Sequence, residues 1–185
     1  MSIGLFRGTV ILDPHSIEWE SNAQQTIAGL KAILGETITD AQHIGSTSIR
    51  EICAKPIIDI AVGADDTETV LSMNDKLEKN GFLFRGQDHP GQYLYICGEG
   101  SFITHHIHLV RYGSETWHNY VNMRDYLNCH SDDAKAYADL KQSLAEKYPD
   151  NRNKYTELKS DLINEILAKA KKWRNKTVKT SDTGL

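Results

Sequence analysis

The sequence predicts an α+β protein: a mixed β-sheet of about five strands covered on one side by helices, with a helical C-terminal region. Three observations predict it. Helical and strand-like segments alternate in the N-terminal part. The β-branched run Ile57–Val62 has the pattern of a strand buried on both faces, and beyond residue 113 the apolar spacing is helical throughout.

Ile17, Ala23, Ile27, Leu30, Ile33 and Leu34 recur at helical spacing, so Ser16–Leu34 forms a helix bounded by Pro14 and Gly35. Glu36–Ile44 reads as a short strand. The small polar turn Gly45-Ser46-Thr47-Ser48 follows, then a brief helix through Cys53, and Pro56 opens the buried strand. Asp66–Asn80 reads as one long helix stopped by Gly81, and Phe82–Arg85 as a strand. Gln92–Cys97 and Phe102–Arg111, joined by Gly98-Glu99-Gly100, form a β-hairpin. Three helices close the chain over Ser114–Cys129, Ser131–Tyr148 and Asn151–Trp173, with Ser131 and Asn151 as N-caps. The organisation is a sheet domain over 1–112, a helical region over 113–173 packed on it, and a basic flexible tail over 174–185.

The 185 residues carry 21 Lys+Arg against 25 Asp+Glu, a net charge of −4. That charge is unevenly spread: six basic residues against one acid from Lys169 onward make a +5 tail and leave −9 for the rest. A body that acidic repels a long polyanion, so long nucleic acid is not an expected partner. No apolar run approaches the ~20 residues that span a bilayer, and the N-terminus lacks a signal-peptide core, so a cytoplasmic protein with no membrane partner is expected. Cys53, Cys97 and Cys129 are far apart and read as reduced, buried, inert thiols.

Two constellations carry chemistry. In the first, a strand ends in Gly45-Ser46 and turns into a helix, which presents backbone N–H groups to an anion such as phosphate. Lys55 and Asp59 follow on the next strand, where the carboxylate needs a partner or a metal ion because an unpaired buried charge is costly. In the second, strand alternation puts His106 and His108 on one face and His105, Ile107 and Leu109 on the other. Two imidazoles near a carboxylate bind a transition metal, with His43 as a further ligand, or move protons. In Met123-Arg124-Asp125-Tyr126-Leu127, Arg124 is placed to reach a phosphate or clamp a carboxylate, and Asp125 to pair with a lysine one turn on. Lys141, Lys147 and Lys159 are expected on solvated helix faces, and Tyr137, Leu140, Leu144 and Tyr148 in an apolar core stripe.

These motifs resemble the GrpB family. His43-Ile44-Gly45-Ser46-Thr47-Ser48, Ala54-Lys55-Pro56-Ile57-Ile58-Asp59-Ile60, His106-Ile107-His108-Leu109 and Arg124-Asp125-Tyr126-Leu127 are similar to its successive signatures. Trp19, Tyr137…Leu140-Lys141 and Tyr155…Lys159 add to the match, which covers about residues 9 to 173. The resemblance implies the nucleotidyltransferase superfamily, with its polymerase-β-like sheet. There a Gly-Ser turn holds a triphosphate, and an Asp-x-Asp pair plus a later acid hold two divalent metal ions. By position Gly45 and Ser46 match the turn, Lys55 and Arg124 join them as nucleotide-binding residues, and Asp59 matches the first acid and the catalytic position. Ala61 stands where the second acid belongs, and His106 and His108 where the third does. The implied function is binding of a nucleoside triphosphate and transfer of its nucleotidyl group to a small-molecule acceptor. Mg²⁺ or Mn²⁺ would serve as cofactor, and Zn²⁺ suits the histidines. The alternatives are a non-catalytic nucleotide- or anion-binding protein, and a transition-metal site built on Asp59, His106, His108 and His43.

Overall fold

The structure is a computed structural model that describes residues 3–182, with side chains over residues 3–177. The strands are β1 (Leu5–Phe6), β2 (Asp40–Ile44), β3 (Ile58–Ala64), β4 (Leu83–His89), β5 (Gln92–Glu99) and β6 (Phe102–Arg111). The helices are α1 (Ile17–Leu34), α2 (Thr67–Leu71), α3 (Asn74–Lys79), α4 (Glu115–Cys129), α5 (Ser131–Lys147), α6 (Arg152–Glu157) and α7 (Ser160–Asp182). None of the described helices is long and apolar enough to cross a membrane.

The strands form one mixed sheet in the order β2-β3-β6-β5-β4, with β1 paired to the start of β6. β3 and β6 run parallel, with Asp59 opposite His106 and Ala61 opposite His108; the neighbouring pairs are antiparallel. Side chains alternate across a strand, so this register gives Asp59, Ala61, His106 and His108 a common face. The opposite face carries Ile58, Ile60, Val62, Ile107 and Leu109. It is sealed by Trp19, Ala23, Ile27, Leu30 and Leu34 of α1 with Val70 and Leu77. His105 also points there and meets Thr26 Oγ1 of α1 through its Nε2 at 3.1 Å.

Helices cover both faces, not one. On the Asp59 face, Trp117 of α4 packs with Ile44, Ala61 and Val110. A Cβ on Gly63 would lie 2.9 Å from the Trp117 and Tyr112 rings, so glycine there lets α4 lie close against β3. A second core joins the C-terminal helices through Tyr126, Leu127, Ala134, Tyr137, Ile166 and Ala170. It also takes in Ile49 and Ile52 from the segment after β2.

Several boundaries differ from expectation. β2 begins at Asp40, because Gly35–Thr37 continue α1 as a 3₁₀ turn. The helix through Cys53 is absent: a three-residue 3₁₀ turn, Ser46–Ser48, gives way to irregular chain whose Ile49 and Ile52 are held by the C-terminal helices. The long helix over 66–80 is two. Ser72 Oγ donates to the Thr69 carbonyl at 2.7 Å, giving the backbone a local alternative where α2 stops. Asn151 caps α6 as expected, by accepting from Lys154 N, whereas α5 is preceded by His130 and Ser131 is already its first residue. The last expected helix breaks at Leu158–Lys159 into α6 and α7. The tail expected from residue 174 continues α7 as far as Asp182, and residues 183–185 lie outside the described residues.

Candidate functional site

A cleft of about 430 Å³ opens between the sheet face carrying Asp59 and the helices α4 to α7. Gly45, Ser46, Lys55, Asp59, His106, His108 and Arg124 all line it, and so do Lys141, Arg152 and Lys159.

Its sheet wall is built on Asp59. Oδ1 of Asp59 lies 3.1 Å from His106 Nδ1 and 3.3 Å from His108 Nε2, so the two histidines are the partners that an acid inside an apolar strand requires. Burial disfavours the charged carboxylate. Hydrogen bonds from His106 and His108 outweigh that and hold the acid well below the usual carboxylate range. Gly45 is left-handed at φ 70°, and a Cβ there would strike Asp59 Oδ2 at 2.5 Å, so the turn and the acid are in contact only because the turn residue is glycine.

The turn differs from the sequence expectation in one consequential way. No long helix follows it, so the turn itself brings no helix N-terminus to the cleft. Ser48 N, at 3.2 Å, and Ser48 Oγ, at 2.6 Å, both donate to the Gly45 carbonyl, closing the turn on itself. Ser46 Oγ reaches the Tyr137 hydroxyl at 3.2 Å.

Positive charge comes instead from lysines expected on solvated helix faces. Lys141 is 1% exposed; its Nζ donates to the Cys53 carbonyl at 2.5 Å and lies 4.7 Å from the Tyr137 ring centre. Lys159 Nζ lies 4.2 Å over one ring, Tyr155, which Lys55 Nζ also approaches at 5.6 Å. Burial drives Lys159 down to about 7, with repulsion from Lys55 and Lys141 adding to it and the Asp59 charge opposing. Burial likewise brings Lys55 and Lys141 to about 8, with Arg152 repelling Lys55 and Lys55 repelling Lys141. The signal in the sequence is Tyr-x-x-x-Lys occurring twice, Tyr137 to Lys141 and Tyr155 to Lys159, one helical turn apart in each case. The break before α7 then presents Lys159 to the cleft. Tyr137, assigned to an apolar stripe, is buried but serves the cleft with its hydroxyl.

Two expected site residues are committed elsewhere. His43 is buried on the α1 side of β2, its Nε2 2.9 Å from Thr47 Oγ1 and its Nδ1 3.2 Å from Glu20 Oε2. Strand alternation sends Ile44, not His43, toward Asp59. Arg124 lines the cleft edge, but its guanidinium donates to Gln42 Oε1 at 2.8 Å, to the His43 carbonyl at 3.0 Å and to Asp125 Oδ1 at 2.8 Å, which ties α4 to β2. Asp125 pairs with Arg174 of α7, not with a lysine one turn on. At the far end of the cleft, buried Gln92 donates to Asp88 at 3.0 Å and accepts from the Tyr120 hydroxyl at 2.6 Å, an array that sequence reading missed. Of the thiols, Cys53 and Cys97 are partly buried, with Cys97 pushed up to about 12 by burial, whereas Cys129 is exposed, contrary to expectation.

The residues present do not fit a pair of magnesium ions. Hard cations need several oxygen ligands, and Asp59 supplies one carboxylate. The position of the second acid is filled by Ala61, 0% exposed against Ile44, Val110 and Trp117, so the packing of α4 closes the space where that side chain would point. Among the described residues, no group of three His, Cys, Asp or Glu is placed to hold a metal ion. The set Asp59, His106, His108 and His43 loses His43 to the opposite face.

Known proteins share this fold. The sequence profile of the family described as GrpB protein matches residues 9–169. The glutamate-rich protein GrpB of Alkalihalophilus pseudofirmus is 37% identical over 89% of this chain and 98% of its own length. The UPF0157 protein YqkA of Bacillus subtilis is 33% identical over 85% of this chain and 46% of its own. Among solved structures, the conserved protein GrpB from Enterococcus faecalis superposes with a TM-score of 0.82 at 30% identity, covering 88% of this chain and 99% of that one. The Cid1 poly(U) polymerase with MgGTP bound reaches a TM-score of 0.51 at 13% identity over 72% of this chain and 44% of that one, a likeness of fold alone. The fold is nucleotidyltransferase-like, and the chain belongs to the GrpB family.

Proposed function

We propose that this protein binds a nucleoside triphosphate in the cleft, with the phosphates between the Gly45-Ser46 turn and Lys55, Lys141, Lys159 and Arg152. The observation that carries this reading is the lysine cluster. Three ammonium groups are held together against burial and mutual repulsion, at a cost in stability that an anion relieves. A volume of about 430 Å³ suits a small molecule and not a polymer. The fold shared with Cid1, a structure solved with MgGTP, makes a nucleotide the first ligand to test. Calorimetric titration with ATP, GTP, CTP, UTP and inorganic triphosphate, with and without Mn²⁺, tests it. Binding that is lost on Lys55→Met and Lys159→Met supports the reading. No heat from any of these ligands overturns it.

The second reading adds transfer of the nucleotidyl group to a small-molecule acceptor. It is favoured by Asp59 standing in contact with the turn that faces the phosphates. Release of pyrophosphate from the bound nucleotide is its measure. A protein that binds nucleotide and releases none is the non-catalytic alternative.

A further inference from the structure

We propose that His106, oriented by Asp59, is the general base that takes the proton from a hydroxyl group attacking the α-phosphate of the bound nucleotide; this rests on the nucleotide reading above. The inference comes from which nitrogen of each histidine is used. An ionised carboxylate only accepts hydrogen bonds, so the nitrogens meeting Asp59 Oδ1, Nδ1 of His106 and Nε2 of His108, both carry protons. The free lone pairs are then on His106 Nε2 and His108 Nδ1.

These two lone pairs are not equivalent. His108 Nδ1 is sealed from solvent without a hydrogen-bond partner, and its ring centre lies 5.3 Å from that of Tyr120. It cannot meet a ligand. His106 Nε2 is not sealed in this way, makes no hydrogen bond among the described residues, and belongs to a ring that lines the cleft. Asp59 and His106 are register partners on parallel strands, so the pair is held by the sheet and not by a loop. A carboxylate on Nδ1–H with Nε2 free is the arrangement in which an aspartate fixes the tautomer of a catalytic histidine and stabilises its imidazolium.

The step balances with groups already named. Nε2 of His106 accepts the hydroxyl proton, the hydroxyl oxygen bonds to the α-phosphorus, and the bond from that phosphorus to the bridging oxygen breaks. Pyrophosphate leaves with the electron pair, toward the cationic end of the cleft at Lys55 and Lys159. The acceptor class is a small hydroxyl compound, with water as the default nucleophile. His108 is a positioning residue, since it meets Asp59 and no ligand.

Two measurements test this on the full chain. In the free protein, long-range ¹H–¹⁵N spectra of ¹⁵N-histidine-labelled material should show His106 protonated on Nδ1 with Nε2 bare, and His108 with the reverse; a bare Nδ1 on His106 overturns the proposal. Pyrophosphate release is then followed with each of the four nucleoside triphosphates, Mg²⁺ or Mn²⁺, and water or glycerol as acceptor. His106→Gln and His106→Asn should lower it ~100-fold or more while nucleotide affinity stays within about threefold. Release that persists in both variants, or none from wild type across this panel, overturns it. A failure to bind any nucleotide overturns the nucleotide reading and this step with it. The tautomer spectra, which need no ligand, tell the two failures apart.

Discussion

Gly45 and Asp59 occupy one another's space: a Cβ on Gly45 would lie 2.5 Å from Asp59 Oδ2 and 2.9 Å from its Cβ. The glycine also sits at φ 70°, where a side chain strains the backbone. Turn and acid, 14 positions apart in the chain, are thus one structural unit.

Gly45→Ala should therefore destabilise the protein by about 2–3 kcal/mol, combining left-handed strain with the clash. Denaturant unfolding measures it. In an Asp59→Ala background the same substitution should cost about 1 kcal/mol less, because the contact with the carboxyl group is relieved while the backbone strain and the contact with the residue-59 Cβ stay. Equal costs in both backgrounds would show that the contact carries no energy.

Lys159→Met should abolish triphosphate binding yet raise stability at neutral pH by about 1 kcal/mol, since an isosteric apolar side chain replaces a partly buried, repelled cation. The sign follows from Lys159 at about 7 against an ordinary 10.5. Between those values the unfolded chain holds a proton that the folded state has lost, so the penalty on the wild type is full below pH 7 and fades as pH rises toward 10.5. Thermal melts of both proteins from pH 6 to 10 should converge at the alkaline end.

An anion in the cleft favours the charged lysines, so binding near pH 8 should take up protons. Titrations in two buffers of different ionisation enthalpy count them. Affinity for inorganic triphosphate should weaken from pH 7 to 9 as Lys159, Lys55 and Lys141, at about 7, 8 and 8, lose their charge in the free protein. An affinity flat across this range would count against these lysines as the binding groups.

Thr47→Val should cost about 1–3 kcal/mol, because it leaves buried His43 Nε2 without its partner at 2.9 Å. Thr47→Ser keeps the hydroxyl and should restore most of the loss. Chemical denaturation of the two variants distinguishes a lost hydrogen bond from a lost methyl group.

Local pattern carried much of this. The period of α1 placed Ala23, Ile27, Leu30 and Leu34 on one buried stripe, which Trp19 joins and from which Ile17, 79% exposed, falls away, and alternation along β6 separated His105 from His106 and His108. Alternation along β2, applied in the same way, sends His43 away from Asp59. The expected set of Asp59, His106, His108 and His43 left that alternation out for His43, and the structure separates it by face. The helix breaks were less legible, because Ser72 and the Leu158–Lys159 turn sit inside patterns whose apolar spacing continues across the break.

The sequence by itself determined most of the strands and the long helices α1, α4 and α5, the Gly-Ser turn, the lone acid in an apolar strand and the pair of histidines on one face, because each is set by period and residue type over a few positions. Only the tertiary structure decided that Asp59 is held by His106 and His108, that α4 packs over Ala61, and that Lys141 and Lys159 turn inward to charge the cleft. Those facts depend on parallel register between distant strands and on how helices far along the chain pack against the sheet. No local spacing encodes either.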